Sequence, residues 1–162
     1  MDDKYIPAFR IKRIKQFSFL TNESLAEKDK FVNIQFQNNT IYYGDTNLVD
    51  LTLRVLYTYD TKTPPDTILV DFHVQNLFEV NDLKQYKRDT EFILPVNLII
   101  AMLSVSISHS RALLTFNLAG TVYQDSILPI VDPIEVGKAF YPNMFIKKLD
   151  EKPYEVKVKK GR

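Results

Sequence analysis

Hydrophobic and polar residues alternate with a period of two in four stretches of the first half of the chain, and after residue 94 the alternation gives way to a helical stripe. From Leu48 to Tyr59, the residues Val49, Leu51, Leu53, Val55, Tyr57 and Tyr59 share one face, and Asp50, Thr52, Arg54 and Thr58 share the other. Ile68 to Val80 repeats this, with Ile68, Val70, Phe72 and Val74 opposed to Asp71, His73 and Gln75. Phe31 to Tyr43 sets Val32, Ile34 and Phe36 against Asn33, Gln35 and Gln37, as a half-buried strand does. Phe9 to Phe19 alternates imperfectly, with Phe9 and Ile11 on one parity and Phe17 and Phe19 after a break, which predicts a bulge. Turn formers fill the link from Asp60 through Pro64-Pro65 to Asp66, so the third and fourth strands should form an antiparallel hairpin.

Asn81 to Glu91 reads as a polar connection. From Pro95 to about Leu118 there is no glycine and no further proline, and Ile100, Leu103, Ile107 and Leu114 lie along one stripe with Ser110 between them. This predicts one long helix that starts at Pro95 and is ended by Gly120. Its apolar core, Phe92 to Ile107, is sixteen residues long, short of the roughly twenty that cross a bilayer, so no membrane insertion is expected. The helix is apolar on more than one side, and Ser104, Ser106, Ser108 and Ser110 would allow another helix to approach closely; burial against another subunit is expected. Ser126 to Val131 reads as extended, and Asp132 with Pro133 should cap and start a short helix through Phe140. Strands followed by helices predict an α+β fold, a four-stranded antiparallel sheet with a long helix and a short C-terminal helix packed on one face. Residues 1–145 read as one domain and 146–162 as a basic C-terminal extension.

Composition removes much chemistry. No cysteine leaves no disulfide, thiolate metal site or thiol nucleophile, and two histidines offer little to a metal; neither a metal nor a cofactor is expected. The four glycines, at 44, 120, 137 and 161, build no phosphate loop. Asp71 and His73 share a strand face, but no nucleophile or oxyanion motif accompanies them, and His109 sits among serines at a polar helix edge. No catalytic residues are assigned. The charge of +1 conceals an arrangement: residues 1–15 carry +3, 16–145 carry −6, and 146–162 carry +4. A solvated basic terminus accounts for the last value, and no nucleic-acid signature supports another reading. The first fifteen residues do not read as a secretory signal, so a cytoplasmic location is expected. Nine tyrosines and eleven phenylalanines are more than one thin sheet-and-helix layer needs. Tyr42, Tyr43, Phe78, Tyr86, Tyr123, Phe140 and Tyr141, at strand ends or in connections, should include exposed or interface residues.

The order of elements and several strings resemble SecB, the tetrameric export chaperone of bacteria. Phe9-Arg10-Ile11-Lys12-Arg13-Ile14 resembles the family's opening strand, Leu53-Arg54-Val55 its third, and Thr67 to Val80, with Leu77-Phe78, its fourth. Arg111, Gly120, then Leu128-Pro129 and Asp132 resemble the long-helix arginine, the glycine that ends that helix and the segment opening the last helix. The likeness covers roughly residues 9–140.

The resemblance implies dimers paired into a homotetramer through the long helices, and ATP-independent holding of unfolded polypeptides destined for export. It assigns client binding to Val32, Ile34 and Phe36 of the second strand, Ile68 at the start of the fourth, and Phe140 on the last helix. Docking of the export ATPase SecA would fall on Leu69 and Asp71. Two departures bear on SecA: the family is strongly acidic, and Leu20 stands where the family has an acidic residue after the first strand's Ser-Phe pair. A dedicated SecB-like chaperone of one partner, such as an antitoxin, would explain that loss. A cup for a small apolar ligand is the reading from another class.

Overall fold

A computed structural model describes residues 9–28, 30–59 and 67–146 of the chain. The predicted link at 60–66 and the basic segment from Lys147 onward lie outside the described residues.

Four strands, β1 (Phe9–Thr21), β2 (Asn33–Tyr43), β3 (Leu48–Thr58) and β4 (Ile68–Val80), form an antiparallel sheet in the order β1-β4-β3-β2. Three strands run as a meander, and the connection from Asn22 to Val32 carries the chain from one sheet edge to the other, a Greek-key order. The alternation read in β3 and β4 is the pleat itself: Val49, Leu51, Leu53, Val55 and Tyr57 of β3 and Phe72, Val74 and Phe78 of β4 are fully buried on one face. The Tyr57 hydroxyl donates to Ser126 O at 2.6 Å, and burial pushes it up to about 12.

The broken alternation of β1 has a geometric cause. Register shifts between Ile11 and Arg13 and between Gln16 and Ser18 mark two bulges. Each skips one residue, so Phe9, Ile11, Ile14, Gln16 and Phe19 all oppose core-side residues of β4 despite their uneven spacing. Phe9 packs edge-on against Phe78 and Phe19 against Phe72, while Ile11 and Ile14 at the sheet edge stay partly open to solvent.

A two-residue ladder follows the sheet, β5 (Lys87–Arg88) with β6 (Glu91–Phe92), where the sequence had promised only a polar connection. Helix α1 (Val96–Leu118) then crosses the inner face of the sheet. Pro95 occupies its cap position rather than its first turn, and its carbonyl accepts from Leu98 N and Ile99 N. Gly120, at φ +83°, follows the helix end in the left-handed conformation that glycine adopts without strain. By length and mean hydropathy, 1.5 over its best window, α1 is apolar enough to span a membrane, so the sixteen-residue argument does not hold for the helix as formed. Its packing identifies it instead: Leu98, Ile99, Met102, Leu103, Ile107, Leu114 and Leu118 are buried in the common core. Two of the four serines expected to admit another helix point inward, one of them, Ser110, in keeping with its place on the apolar stripe. Ser106 and Ser110 are fully buried, Ser110 Oγ donating to Ser106 O at 2.9 Å, and only Ser104 and Ser108 are exposed.

Arg111 explains why its string and Leu128-Pro129 travel together: Nε donates to Leu128 O at 3.1 Å and Nη2 to Pro129 O at 2.7 Å, pinning the segment after α1. Helix α2 (Pro133–Phe140) begins as predicted, with Asp132 Oδ1 accepting from Ile134 N at 2.8 Å and Pro133 in the first turn. A further short helix, α3 (Pro142–Ile146), follows directly.

Candidate functional site

Three stretches meet at the end of the sheet where β2 turns into β3. Tyr42 closes the inner face of β2, the β5–β6 ladder brings Thr90, Glu91, Phe92 and Ile93, and the α2–α3 junction brings Phe140, Tyr141, Pro142, Asn143 and Met144. They line an open groove of about 660 Å³, within the range of sites that enclose a small molecule or a few residues of peptide.

Each wall has a local cause. Tyr42 and Phe92 stack with ring centroids 5.3 Å apart. Phe92 can lie there because Gly44 has no side chain: a Cβ at that position would sit 2.8 Å from Phe92 Cζ. Gly44→Ala is therefore expected to displace the Phe92 ring and reshape the groove while leaving the secondary structure intact; altered peptide binding with an unchanged far-ultraviolet spectrum is the check. Tyr141 follows the last turn of α2, its N–H donating to Gly137 O at 2.8 Å. Its hydroxyl joins Thr40 Oγ1 at 2.6 Å and accepts from Asn38 Nδ2 at 2.8 Å, locking the α2–α3 junction onto β2. Gly137 lets that junction sit close, since a Cβ there would lie 2.9 Å from Phe145 Cζ and 3.5 Å from Leu103 Cδ1.

The groove is aromatic and nearly uncharged, with the Glu91 carboxylate exposed at its rim. Burial pushes both phenols up, Tyr42 further with Tyr141 beside it, and the Thr40 and Asn38 bonds only partly offset this for Tyr141. Both stay neutral. The Tyr42 oxygen is buried and has no hydrogen-bond partner among the described residues, so it can donate to a carbonyl placed in the groove.

Of the five residues assigned to client binding, Phe140 lines this groove. Val32, Ile34 and Phe36 extend from it along the face of β2 that also carries Asn38, Thr40 and Tyr42, and Ile68 lies at the opposite end of the sheet from Tyr42. All five are half-buried. Sequence reasoning missed Phe92 and Met144, and it had Tyr42 and Tyr141 only as surplus aromatics. The other surplus aromatics divide: Phe78 and Tyr123 are core, at 0% and 3% exposure, whereas Tyr43 is exposed and Tyr86 half-buried.

The two residues assigned to SecA docking, Leu69 and Asp71, lie on β4. Leu69 is 1% exposed and cannot meet a partner without local rearrangement. Asp71 accepts from Arg54 Nε on Oδ1 at 2.9 Å and from Nη2 on Oδ2 at 2.6 Å, and His73 Nε2 lies 2.8 Å from the same Oδ1, so its charge is already engaged. Arg54 foremost holds this carboxyl below its ordinary value. A depressed carboxylate stabilises the fold above the unfolded-state value of about 3.9 and ceases to as pH falls through the folded one. The loss in melting temperature from Arg54→Ala should thus be full at neutral pH and shrink towards pH 3, followed by thermal unfolding across that window. Asp50 is likewise occupied, by Gln75 and by Thr52 Oγ1 at 3.2 Å. His109 Nδ1 sits 2.7 Å from Asn76 Oδ1, and burial holds the ring below the usual histidine range.

No protein-family model matches the sequence, and no curated protein sequence does. Among solved structures, the chain resembles the Mycobacterium tuberculosis Rv1957 SecB-like chaperone, in complex with a ChAD peptide from the Rv1956 HigA1 antitoxin. The TM-score is 0.52 at 11% identity, covering 76% of this chain and 89% of that one. Four antiparallel strands with a long and a short helix on one face, together with that likeness, give the chain a SecB-like fold.

Proposed function

We propose that this chain is an ATP-independent, SecB-like chaperone dedicated to one polypeptide partner, such as an antitoxin, and that it holds an unfolded segment of that partner in the Tyr42–Phe92–Tyr141 groove. The observation that carries the choice is the outer sheet face. A general export holdase hands its clients to SecA through free carboxylates, whereas here Asp71 is paired twice, Leu69 is buried and Leu20 is an exposed apolar residue. The structural relative's complex with an antitoxin peptide supports the same choice.

The half-buried strip Val32-Ile34-Phe36 would extend the binding face along β2, separated from Tyr42 by Asn38 and Thr40, which hold the Tyr141 hydroxyl, over roughly 20 Å from residue 36 to residue 42. Binding would come from burying apolar side chains at about 25 cal/mol per Å², with register set by a few polar atoms such as the Tyr42 hydroxyl. The chaperone would work in the cytoplasm as a homo-oligomer, a dimer or a tetramer formed through dimers. The exposed stripe of α1, with Ser104, Ser108 and Ala112, and the half-open Ile11 and Ile14 on the β1 edge are the surfaces that assembly would cover.

The test mixes the purified protein, without ATP, with a candidate antitoxin polypeptide and with an unrelated, slowly refolding polypeptide. Suppressed aggregation of the first at equimolar ratio, with unhindered refolding of the second, is expected. Equal retardation of both would return the reading to a general holdase, and no effect on either would remove the chaperone reading.

A further inference from the structure

We propose that the outer sheet face along β1 is a second interaction surface, separate from the groove, and that its partner is an acidic polypeptide segment that also carries apolar side chains. A bulge gathers the cations there. Strict alternation turns every second residue outward, but Lys12 is the extra residue between Ile11 and Arg13, so Arg10, Lys12, Arg13 and Lys15 all come to the outer side. Arg10 Nε and Lys12 Nζ reach Glu79 Oε2 at 2.6 Å and 3.1 Å, Arg13 Nη2 donates to Gln75 Oε1 at 3.0 Å, and Lys15 stands opposite Gln75. The strand is exposed from Arg10 to Phe17. These side chains stay accessible if a second copy covers Ile11 and Ile14, because those two oppose core-side residues of β4.

The surroundings do not cancel this charge. On the outer face of the four strands, the β1 cations and Arg54 stand against Asp50, Asp71 and Glu79, and each carboxylate is engaged. Asp50 is 9% exposed and bound by Gln75 and Thr52, Asp71 is bound by Arg54 and His73, and Glu79 is shared by two cations. Arg13 meets only a neutral amide, and Lys15 Nζ lies 4.9 Å from the centroid of the Phe17 ring; neither forms an ion pair among the described residues. Residues 16–145 sum to −6, so the body of the chain repels an acidic segment that β1 attracts, and its approach is steered to this strand.

Apolar neighbours decide the class of partner. Leu20, 65% exposed, continues the strand beyond Lys15, and Leu77 is half-buried beside Arg13. Aliphatic side chains next to cations suit a polypeptide that carries both carboxylates and apolar groups. Single-stranded nucleic acid needs aromatic platforms, and the Phe17 ring already has Lys15 over it. Arg13 and Lys15 stand about 7 Å apart, the spacing of carboxylates on alternate residues of an extended segment.

The test titrates the full chain with fluorescent probes: a short peptide of Glu and Leu, the same peptide with Lys in place of Glu, and a single-stranded oligothymidylate. The acidic peptide should bind and the basic one should not. Lys15→Glu should weaken the acidic peptide about tenfold, Arg13→Glu/Lys15→Glu more, and raising salt from about 50 mM to 500 mM should do the same to the wild type. Lys15→Glu loses only the contact with Phe17, so its melting temperature should stay close to that of the wild type. No binding of the acidic peptide, or equal affinity for the Lys15→Glu chain, overturns the proposal. So does oligothymidylate binding at least as tightly, which gives the strip to nucleic acid, and so does an equal loss in Tyr141→Ala, which puts the peptide in the groove. A changed oligomeric mass in Lys15→Glu with unchanged peptide affinity also overturns it, making the strip a contact between copies. No probe is an unfolded client, so the chaperone reading can fail while this surface stands, and the reverse.

Discussion

Tyr141→Ala is expected to weaken partner binding about thirtyfold, equivalent to about 2 kcal/mol, the loss typical when a central aromatic anchor is truncated. Tyr141 forms a wall of the groove and its hydroxyl fastens the α2–α3 junction to Asn38 and Thr40. Tyr141→Phe keeps the ring and loses only those bonds, each about 1 kcal/mol net, so it should lower stability slightly and affinity only a few-fold. Anisotropy titration of a labelled partner peptide, run beside thermal unfolding, separates the two effects. Undiminished affinity in Tyr141→Ala would place the binding site elsewhere.

Phe72→Ala should cost about 3–5 kcal/mol and lower the melting temperature by roughly 10 °C. Phe72 is fully buried in mid-sheet on β4, edge-on to Phe19, and reports on the core alone. Phe36→Ser on the half-buried floor of β2 should cost well under half as much while reducing affinity. A Phe36 variant as unstable as the Phe72 one, with unchanged affinity, would make that residue core and shorten the groove to the Tyr42 end.

The sheet was legible because a period of two records the pleat directly, and the uneven spacing of β1 pointed to a bulge where the strand has two. Asp132-Pro133 and Gly120 were legible for a similar reason: caps act on their immediate neighbours. The groove was not. Tyr42, Phe92 and Tyr141 belong to three elements, and their meeting depends on the absence of a Cβ at Gly44 and on a tyrosine bonded across about a hundred residues to Asn38. The β5–β6 ladder is too short to carry a period. The serine stripe misled because small residues suit close packing on either side of a helix, and whether a serine faces the sheet or solvent is decided by the sheet. The pairing of Asp71 was not legible because its partner Arg54 lies on the neighbouring strand, seventeen positions away.

The Greek-key order has a cost in time. Strand β1 pairs only with β4 among the described strands, and Arg10 meets Glu79 across 69 positions of sequence. During synthesis at about 5–20 residues per second, β1 waits roughly 3–14 s for its partner to emerge. Throughout that wait Ile11, Ile14, Phe17 and Leu20 form an apolar, strand-prone segment that any other nascent chain could pair with. Arg10, Lys12, Arg13 and Lys15 interrupt it, and their mutual repulsion between copies guards the strand until β4 arrives. A chain whose proposed task is to shield unfolded segments thus carries, in its own first strand, a segment that is shielded for those seconds by charge alone.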